Sequence, residues 1–150
     1  MRKAGGKANP RPSITIGGII VDFLVESADS DGVATVFECT VAAGAQVPPP
    51  HSHDGFDETV YGLEGVFKFM IDGESRYLGP GESLCLRRGQ VHEFQNQGPE
   101  DGKFLSVATP GLFGPEYFLE FRDVLYAARD AAPDRDALAA VMHRHGLTPA

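Results

Sequence analysis

Between Ser13 and Ala108 the chain repeats one pattern, in which short runs of β-branched and aromatic residues are cut by Gly, Pro, Asp or Asn. This pattern is typical of strands joined by tight turns, and the region has no helical periodicity. One turn is well defined, because the Asp72-Gly73 pair tolerates the positive φ angles of a two-residue hairpin. The pattern therefore predicts an all-β sandwich or barrel.

Two stretches of this region have the composition of long strands. Residues 33–41 are predicted to form one strand, and residues 60–71 a longer one that bends near Gly62 or Gly65. Unbroken alternation along the longer strand would place Val60 on one face and Phe67 on the other, so both faces would be apolar. An apolar outer face is expected to be covered, and we therefore predict a homodimer.

The sequence changes character after Pro110. Phe118, Phe121 and Leu125 recur at steps of three and four residues, which predicts an amphipathic helix over residues 115–131. A second helix is predicted over residues 134–145, ending before Gly146. We therefore expect three parts. They are a flexible, polar N-terminal arm at residues 1–12, a β-barrel at residues 13–110, and a helical appendage packed on the barrel at residues 111–150.

Charge and hydropathy argue against two classes of partner. The net charge is −8 and the basic residues are scattered, whereas a nucleic-acid partner requires clustered Lys and Arg. The longest apolar stretch, residues 17–25, is interrupted by Asp22 and is too short to span a bilayer. The start of the chain has no apolar segment of the kind that follows the charged end of a secretion signal. These features predict a cytoplasmic protein with neither a nucleic-acid nor a membrane partner.

Four residues have the chemistry and spacing of a metal site. His51 and His53 are two residues apart in an extended segment, so their side chains point to the same face. Glu58 returns a carboxylate to the same place after a short turn, and His92 begins another strand-like stretch. Asp57 is the rival carboxylate. Because adjacent residues of a strand point to opposite faces, only one of the two carboxylates can face the histidines. The chain therefore carries a candidate site for one divalent transition metal ion.

A second His-x-His pair lies near the end of the chain. His143 and His145 fall in the second predicted helix, where residues two apart do not face each other. We expect these two residues to favour the negative end of the helix dipole when protonated, rather than to bind a metal.

The residues around the candidate metal site resemble the two motifs of the cupin superfamily. The first is HSHDGFDETVYGLEG, in which Glu58 and Gly65 follow the His-x-His pair at the family spacing. The second is GESLCLRRGQVHEFQN, which matches at Gly81, His92 and Asn96. In motif spacing the chain is most similar to the small, single-domain bacterial cupins that are quercetin-dioxygenase-like. The resemblance implies a double-stranded β-helix, which is the jelly-roll barrel of cupins.

The resemblance also implies a function for these residues. It implies that His51, His53, Glu58 and His92 bind one metal ion, and it favours Glu58 over Asp57. Three imidazoles and one carboxylate suit Fe, Mn, Ni, Zn or Cu. The implied activity is that of a metal-dependent dioxygenase acting on an enolic or phenolic small molecule, with Glu58 also serving as a proton acceptor. Two alternatives stay open, namely a cupin that binds a small molecule without catalysis, and a cupin isomerase.

Overall fold

Residues 11–150 are the part of the chain that the computed structural model describes, and they form eleven strands and two α-helices. The strands are β1 (Ser13–Ile16), β2 (Ile19–Val25), β3 (Thr35–Val41), β4 (His51–His53), β5 (Asp57–Glu64), β6 (Phe67–Ile71), β7 (Glu74–Leu78), β8 (Ser83–Leu86), β9 (His92–Asn96), β10 (Gly102–Thr109) and β11 (Leu147–Pro149). The helices are α1 (Pro115–Ala127) and α2 (Arg135–Arg144). Most of the predicted N-terminal arm, residues 1–10, lies outside the described residues.

The strands are arranged in two antiparallel sheets that face each other. The first sheet has the order β1-β2-β3-β10-β5-β8, and the second has the order β11-β4-β9-β6-β7. Consecutive strands often lie in different sheets, so the chain crosses between the sheets several times. The predicted all-β jelly roll with short C-terminal helices is therefore confirmed.

Alternation along the strands fills the space between the sheets. In β3, every second residue from Thr35 to Val41 is buried, and β10 has the same pattern. Aromatic rings pack between the sheets, where Phe104 meets Phe67 edge-on at a centroid distance of 5.1 Å. Each fully buried aromatic side chain stabilises the fold by roughly 2–3 kcal/mol through the hydrophobic effect.

The single strand predicted over residues 60–71 is wrong, because the chain changes sheets in the middle of this stretch. Gly65 adopts a φ of +73° between β5 and β6, a left-handed conformation that favours glycine. The turn resets the alternation, so that Val60 and Phe67 are both buried inside the barrel. Tyr61 and Val66 are left exposed by 43% each. The homodimer expected from two apolar faces stays a prediction.

The turn and helix predictions agree closely with the structure. Asp72 and Gly73 have φ values of 48° and 81° and join β6 to β7, as predicted. Helix α1 begins at Pro115, and α2 is capped by the side chain of Asp134, which accepts a hydrogen bond from the backbone N–H of Ala137. Neither helix has the length and apolarity to span a membrane, and the cytoplasmic location stays a prediction.

The chain returns to the barrel after α2, which the sequence did not predict. Strand β11 pairs with β4, so that Leu147 lies opposite His53 and Pro149 lies opposite His51. The hydroxyl of Thr148 donates a hydrogen bond of 2.6 Å to Oδ1 of Asp54. Residues 147–149, within the segment expected to be a helical appendage, therefore belong to the second sheet. The division of the chain at residue 110 stays a prediction.

Candidate metal centre

Three histidines meet inside the barrel. His51 and His53 lie on β4, and His92 lies opposite His51 on the neighbouring β9. One nitrogen of each ring lies within 4.8 Å of a nitrogen of each of the other two. A zinc–imidazole bond is about 2.0–2.1 Å long, so two nitrogens on one ion lie up to about 4 Å apart, and the spacing here is close to that range.

Backbone carbonyls orient two of the three rings. Nδ1 of His51 lies 2.8 Å from the carbonyl oxygen of Pro49, and Nδ1 of His92 lies 3.2 Å from that of Gln90. A carbonyl oxygen can only accept a hydrogen bond, so each Nδ1 carries the proton and donates it. The lone pair is then on Nε2, and metal-binding histidines in proteins show this same outer hydrogen bond.

The third ring, that of His53, is held by packing instead of hydrogen bonds. It is 2% exposed and stacks on Phe56, with ring centroids 4.3 Å apart and planes at 18°. Its Nδ1 is buried without a hydrogen-bond partner in the described part of the chain. Its Nε2 lies 3.7 Å from Oε1 of Glu58, beyond hydrogen-bond distance. A cation between the rings and Glu58 would give Nε2 of His53 the polar partner that it lacks, so the residues fit a metal ion.

The two neighbouring carboxylates point in opposite directions. Glu58 is 8% exposed and faces the histidines, and the Ser106 hydroxyl donates a hydrogen bond to its Oε2. Asp57 points away from the barrel, where its Oδ1 accepts a hydrogen bond of 2.9 Å from the backbone N–H of Arg88. The Arg88 guanidinium also lies 3.2 Å from Oδ2 of Asp57. Of the two carboxylates, only Glu58 therefore lies beside the cluster, next to His53, although the atoms within 4.8 Å of one another are those of the three histidines alone.

Burial keeps two of the histidines, His51 and His53, in the uncharged form that binds metal. It lowers the pKa of His51 to about 4 and that of His53 to about 2, and the charge of His92 adds to both effects. Burial raises the pKa of Glu58, while His92 and the hydrogen bond from Ser106 act in the opposite direction. Metal binding requires neutral imidazoles, and His51 and His53 provide them without the ion having to displace their protons at neutral pH.

A cavity of about 610 Å³ opens next to the histidines and extends to α1 and α2. Its wall is mostly apolar and includes Phe37, Phe94, Phe113 and Phe118. The polar groups on the wall are few, and they include Glu58, Tyr117 and Arg135 in addition to the three histidines. This volume and lining are typical of a site for a small molecule.

The second His-x-His pair lies away from the cluster. His143 is exposed on α2, and Nε2 of His145 lies 2.9 Å from Oε2 of Glu120 on α1. Arg144 also binds Glu120, so these residues join the two helices to each other. The two side chains therefore have different surroundings, and the expectation that they do not bind a metal stays a prediction.

Two residues of the site were missed by the sequence analysis. Ser106 is the polar residue among alternating inward positions of β10, between the buried Phe104 and Ala108, and that alternation is a signal that could have found it. Tyr117 follows the periodicity of α1, but nothing in the sequence indicates that α1 covers the cavity.

Comparison with known proteins identifies the barrel. Residues 37–108 match the family model described as a cupin domain, Cupin_2. These residues are a cupin domain. Over 65 residues the chain is 35% identical to quercetin 2,3-dioxygenase of Bacillus subtilis (strain 168). That match covers 43% of this chain but only 19% of the length of the relative.

Solved structures share the fold of the cupin domain. KdgF from Halomonas sp. superposes with a TM-score of 0.58 at 21% identity, covering 66% of this chain and 86% of that one. The Cupin_2 domain of an XRE family transcriptional regulator from Enterobacter cloacae has a TM-score of 0.53 at 26% identity, covering 61% and 96%. These similarities agree with the jelly roll and leave the activity open.

Proposed function

We propose that this protein is a metal-dependent dioxygenase that acts on an enolic or phenolic small molecule. The observation that carries the proposal is the cluster of three imidazoles and one buried carboxylate on the wall of an apolar, aromatic-lined cavity. The similarity of the cupin domain to quercetin 2,3-dioxygenase supports the same class of reaction, although it covers a small part of that relative.

The proposed ligands of the metal are His51, His53, Glu58 and His92. This set of nitrogen and oxygen donors suits Fe, Mn, Ni, Zn or Cu. When bound, such an ion would supply Lewis acidity and free coordination positions for an oxygen-bearing substrate and O2.

Glu58 is the residue that we assign to proton transfer. Its Oε2 is held by Ser106, so Oε1 is the oxygen that remains available on the side of His53. Burial raises the pKa of Glu58, which makes the carboxylate a stronger base than one in water. Oε1 would exchange between two roles, binding the metal before the substrate arrives and accepting the proton of an enolic or phenolic hydroxyl as the substrate binds. The aromatic wall would exclude water and pack against the substrate ring.

A cupin that binds a small molecule without catalysis is the second candidate. The similarity to the Cupin_2 domain of a transcriptional regulator favours it, because that domain belongs to a regulatory protein. This function would need the cavity but not the proton acceptor. An isomerase would need a proton-shuttling base beyond the metal ligands, and residues 13–110 contain no histidine beyond the three of the cluster.

Metal analysis followed by oxygen-uptake assays tests the proposal. We expect the purified protein to hold about one transition metal ion per chain, and a flavonol or a β-diketone to stimulate oxygen uptake. The same compound with its enol methylated, and the chelated protein, serve as controls and should show no stimulation. Protein that takes up none of the five metals would contradict the metal site. Tight binding of a flavonol without oxygen uptake would favour the binding function.

A further inference from the structure

Tyr117 brings a phenol group to the wall of the cavity. It lies in the first turn of α1, is 4% exposed, and lines the same cavity as Glu58 and the histidines. Its ring packs against Phe113, Phe118 and Phe121 at centroid distances of 5.7, 5.0 and 5.7 Å. These contacts fix the direction of the ring, and therefore the position of its hydroxyl.

The hydroxyl of Tyr117 makes no hydrogen bond to any of residues 11–150, whereas a buried tyrosine usually finds a partner for this group. Within residues 11–150, one polar side-chain atom is fully buried and also has no hydrogen-bond partner. That atom is Nδ1 of His53, not the Tyr117 oxygen. The Tyr117 oxygen also has no partner, so it is not fully buried and must border open space. Since the side chain is otherwise buried and lines the cavity, we take that space to be the cavity.

The surroundings keep this hydroxyl a hydrogen-bond donor. Burial raises the pKa of Tyr117, and the charge of Glu58 raises it further, so the phenol stays protonated. The group that suits it is an acceptor, such as a carbonyl or phenolic oxygen.

Aromatic side chains, including Phe113, Phe118 and Phe121, make up much of the neighbouring wall. The rings of His53 and Phe56 are stacked, and those of Phe56 and Phe113 are stacked at 5.0 Å with planes at 14°. Phe113 lies on the cavity wall and also contacts Tyr117. A planar ring lying along this wall can place an oxygen near the Tyr117 hydroxyl.

We infer that Tyr117 is a specificity-determining residue, which donates a hydrogen bond to an oxygen of a planar aromatic ligand and so selects that ligand over its hydrocarbon analogue. The inference rests on the proposed function for the aromatic class of the ligand, but it does not require catalysis. A cavity that presents an unpaired buried donor discriminates against ligands without an acceptor, because the donor then stays unpaired.

The variants Tyr117→Phe and Tyr126→Phe provide a matched test on one helix. The hydroxyl of Tyr126 is partnered, since it accepts from the backbone N–H of Gly17 at 3.0 Å, and its side chain is 53% exposed. We expect Tyr117→Phe to melt close to the temperature of the wild type, because the lost hydroxyl bonds no other residue of the described chain. Tyr126→Phe should melt lower, because it loses a hydrogen bond between α1 and the β1–β2 turn.

Ligand binding then tests the assigned role. Two probes of similar size, 3-hydroxyflavone and 2-phenylnaphthalene, are titrated into metal-loaded and chelated protein and followed by fluorescence. We expect the wild type to prefer 3-hydroxyflavone, and Tyr117→Phe to bind it roughly three- to tenfold more weakly. Binding of 2-phenylnaphthalene should not change, and Tyr126→Phe should bind both probes as the wild type does.

Three results would overturn the inference. They are a wild type with no preference for 3-hydroxyflavone, a Tyr117→Phe variant that keeps the preference, and a variant that weakens both probes equally. If Tyr117→Phe fails to fold, the two probes are compared on the wild type alone, and equal binding of both would contradict the inference. Selective loss of 3-hydroxyflavone binding without any oxygen uptake would leave the role of Tyr117 standing and would contradict the dioxygenase proposal instead.

Discussion

Ser106 donates its hydroxyl hydrogen to Oε2 of Glu58 inside the cupin domain. This bond favours the ionised carboxylate, so Ser106→Ala should raise the pKa of Glu58 above its already raised value. As the pH is lowered, we expect metal affinity and turnover to begin to fall at a higher pH in this variant than in the wild type. Calorimetric metal titrations at several pH values measure the shift. Ser83→Ala, at an exposed position on β8, is the control, and identical pH profiles for both variants would contradict the role of Ser106.

Glu58→Gln and Asp57→Asn separate the two neighbouring carboxylates. Gln keeps an oxygen that can bind metal but cannot accept a proton, so turnover should fall by about a hundredfold or more while metal stays bound. Asp57→Asn alters only the surface interaction with Arg88, and its turnover should stay close to that of the wild type. Steady-state oxygen uptake together with metal content checks both expectations. Normal turnover in Glu58→Gln would remove that residue from the proposed mechanism.

His92→Ala tests the joint metal site through stability. An ion that binds only the folded state stabilises it by RT ln(1 + [L]/Kd), or about 2.7 kcal/mol at a hundred times the Kd. Without His92 the affinity drops, so the difference in Tm between metal-loaded and chelated protein should shrink. His143→Ala, on the exposed side of α2, should leave this difference unchanged. A difference in Tm that stays unchanged in His92→Ala but shrinks in His143→Ala would show that the site is misassigned.

The buried histidines should make the chelated protein sensitive to mild acid. The folded-state pKa is about 4 for His51 and about 2 for His53, whereas histidines of the unfolded chain titrate near about 6.5. Below about pH 6.5 the unfolded state therefore binds protons that the folded state does not. The free energy of unfolding falls by up to about 1.4 kcal/mol per pH unit for each of these histidines. The fall from His51 ends near pH 4, and that from His53 continues below it.

Glu58 acts against this effect, because burial raises its pKa and the folded state then takes up a proton first. Urea unfolding of chelated Glu58→Gln between about pH 7.5 and pH 5 isolates the histidine contribution. A free energy of unfolding that stays constant over that range would contradict the lowered pKa values.

Local signals in the sequence were sufficient for the barrel and the histidine cluster. The His-x-His spacing places two rings on one face of β4, and strand alternation separates Glu58 from Asp57. The Asp72-Gly73 turn and the caps of the helices are also local, so they could be predicted from neighbouring residues. The change of sheet at Gly65 could not, since a glycine indicates a bend but the residues around it are mostly apolar whether or not the chain changes sheets.

The remaining features of the site depend on contacts between distant parts of the chain. Ser106 reaches Glu58 across 48 positions, and Tyr117 reaches the cavity only because α1 packs over it. Strand β11 has three residues, which is too short to show a periodicity, and its partner in the sheet is fixed by the return of the chain after α2. These placements depend on tertiary packing, which cannot be read from a short stretch of sequence.

The pairing of β11 with β4 also protects the second sheet from other chains. Without β11, the strand that carries His51 and His53 would be the edge of its sheet, with unpaired N–H and C=O groups open to a strand from another molecule. Pro149 has no backbone N–H to offer, so the edge that β11 itself presents is poorly suited to further strand addition. Loss of these three residues would therefore loosen the histidine strand and, at the same time, create a site for aggregation.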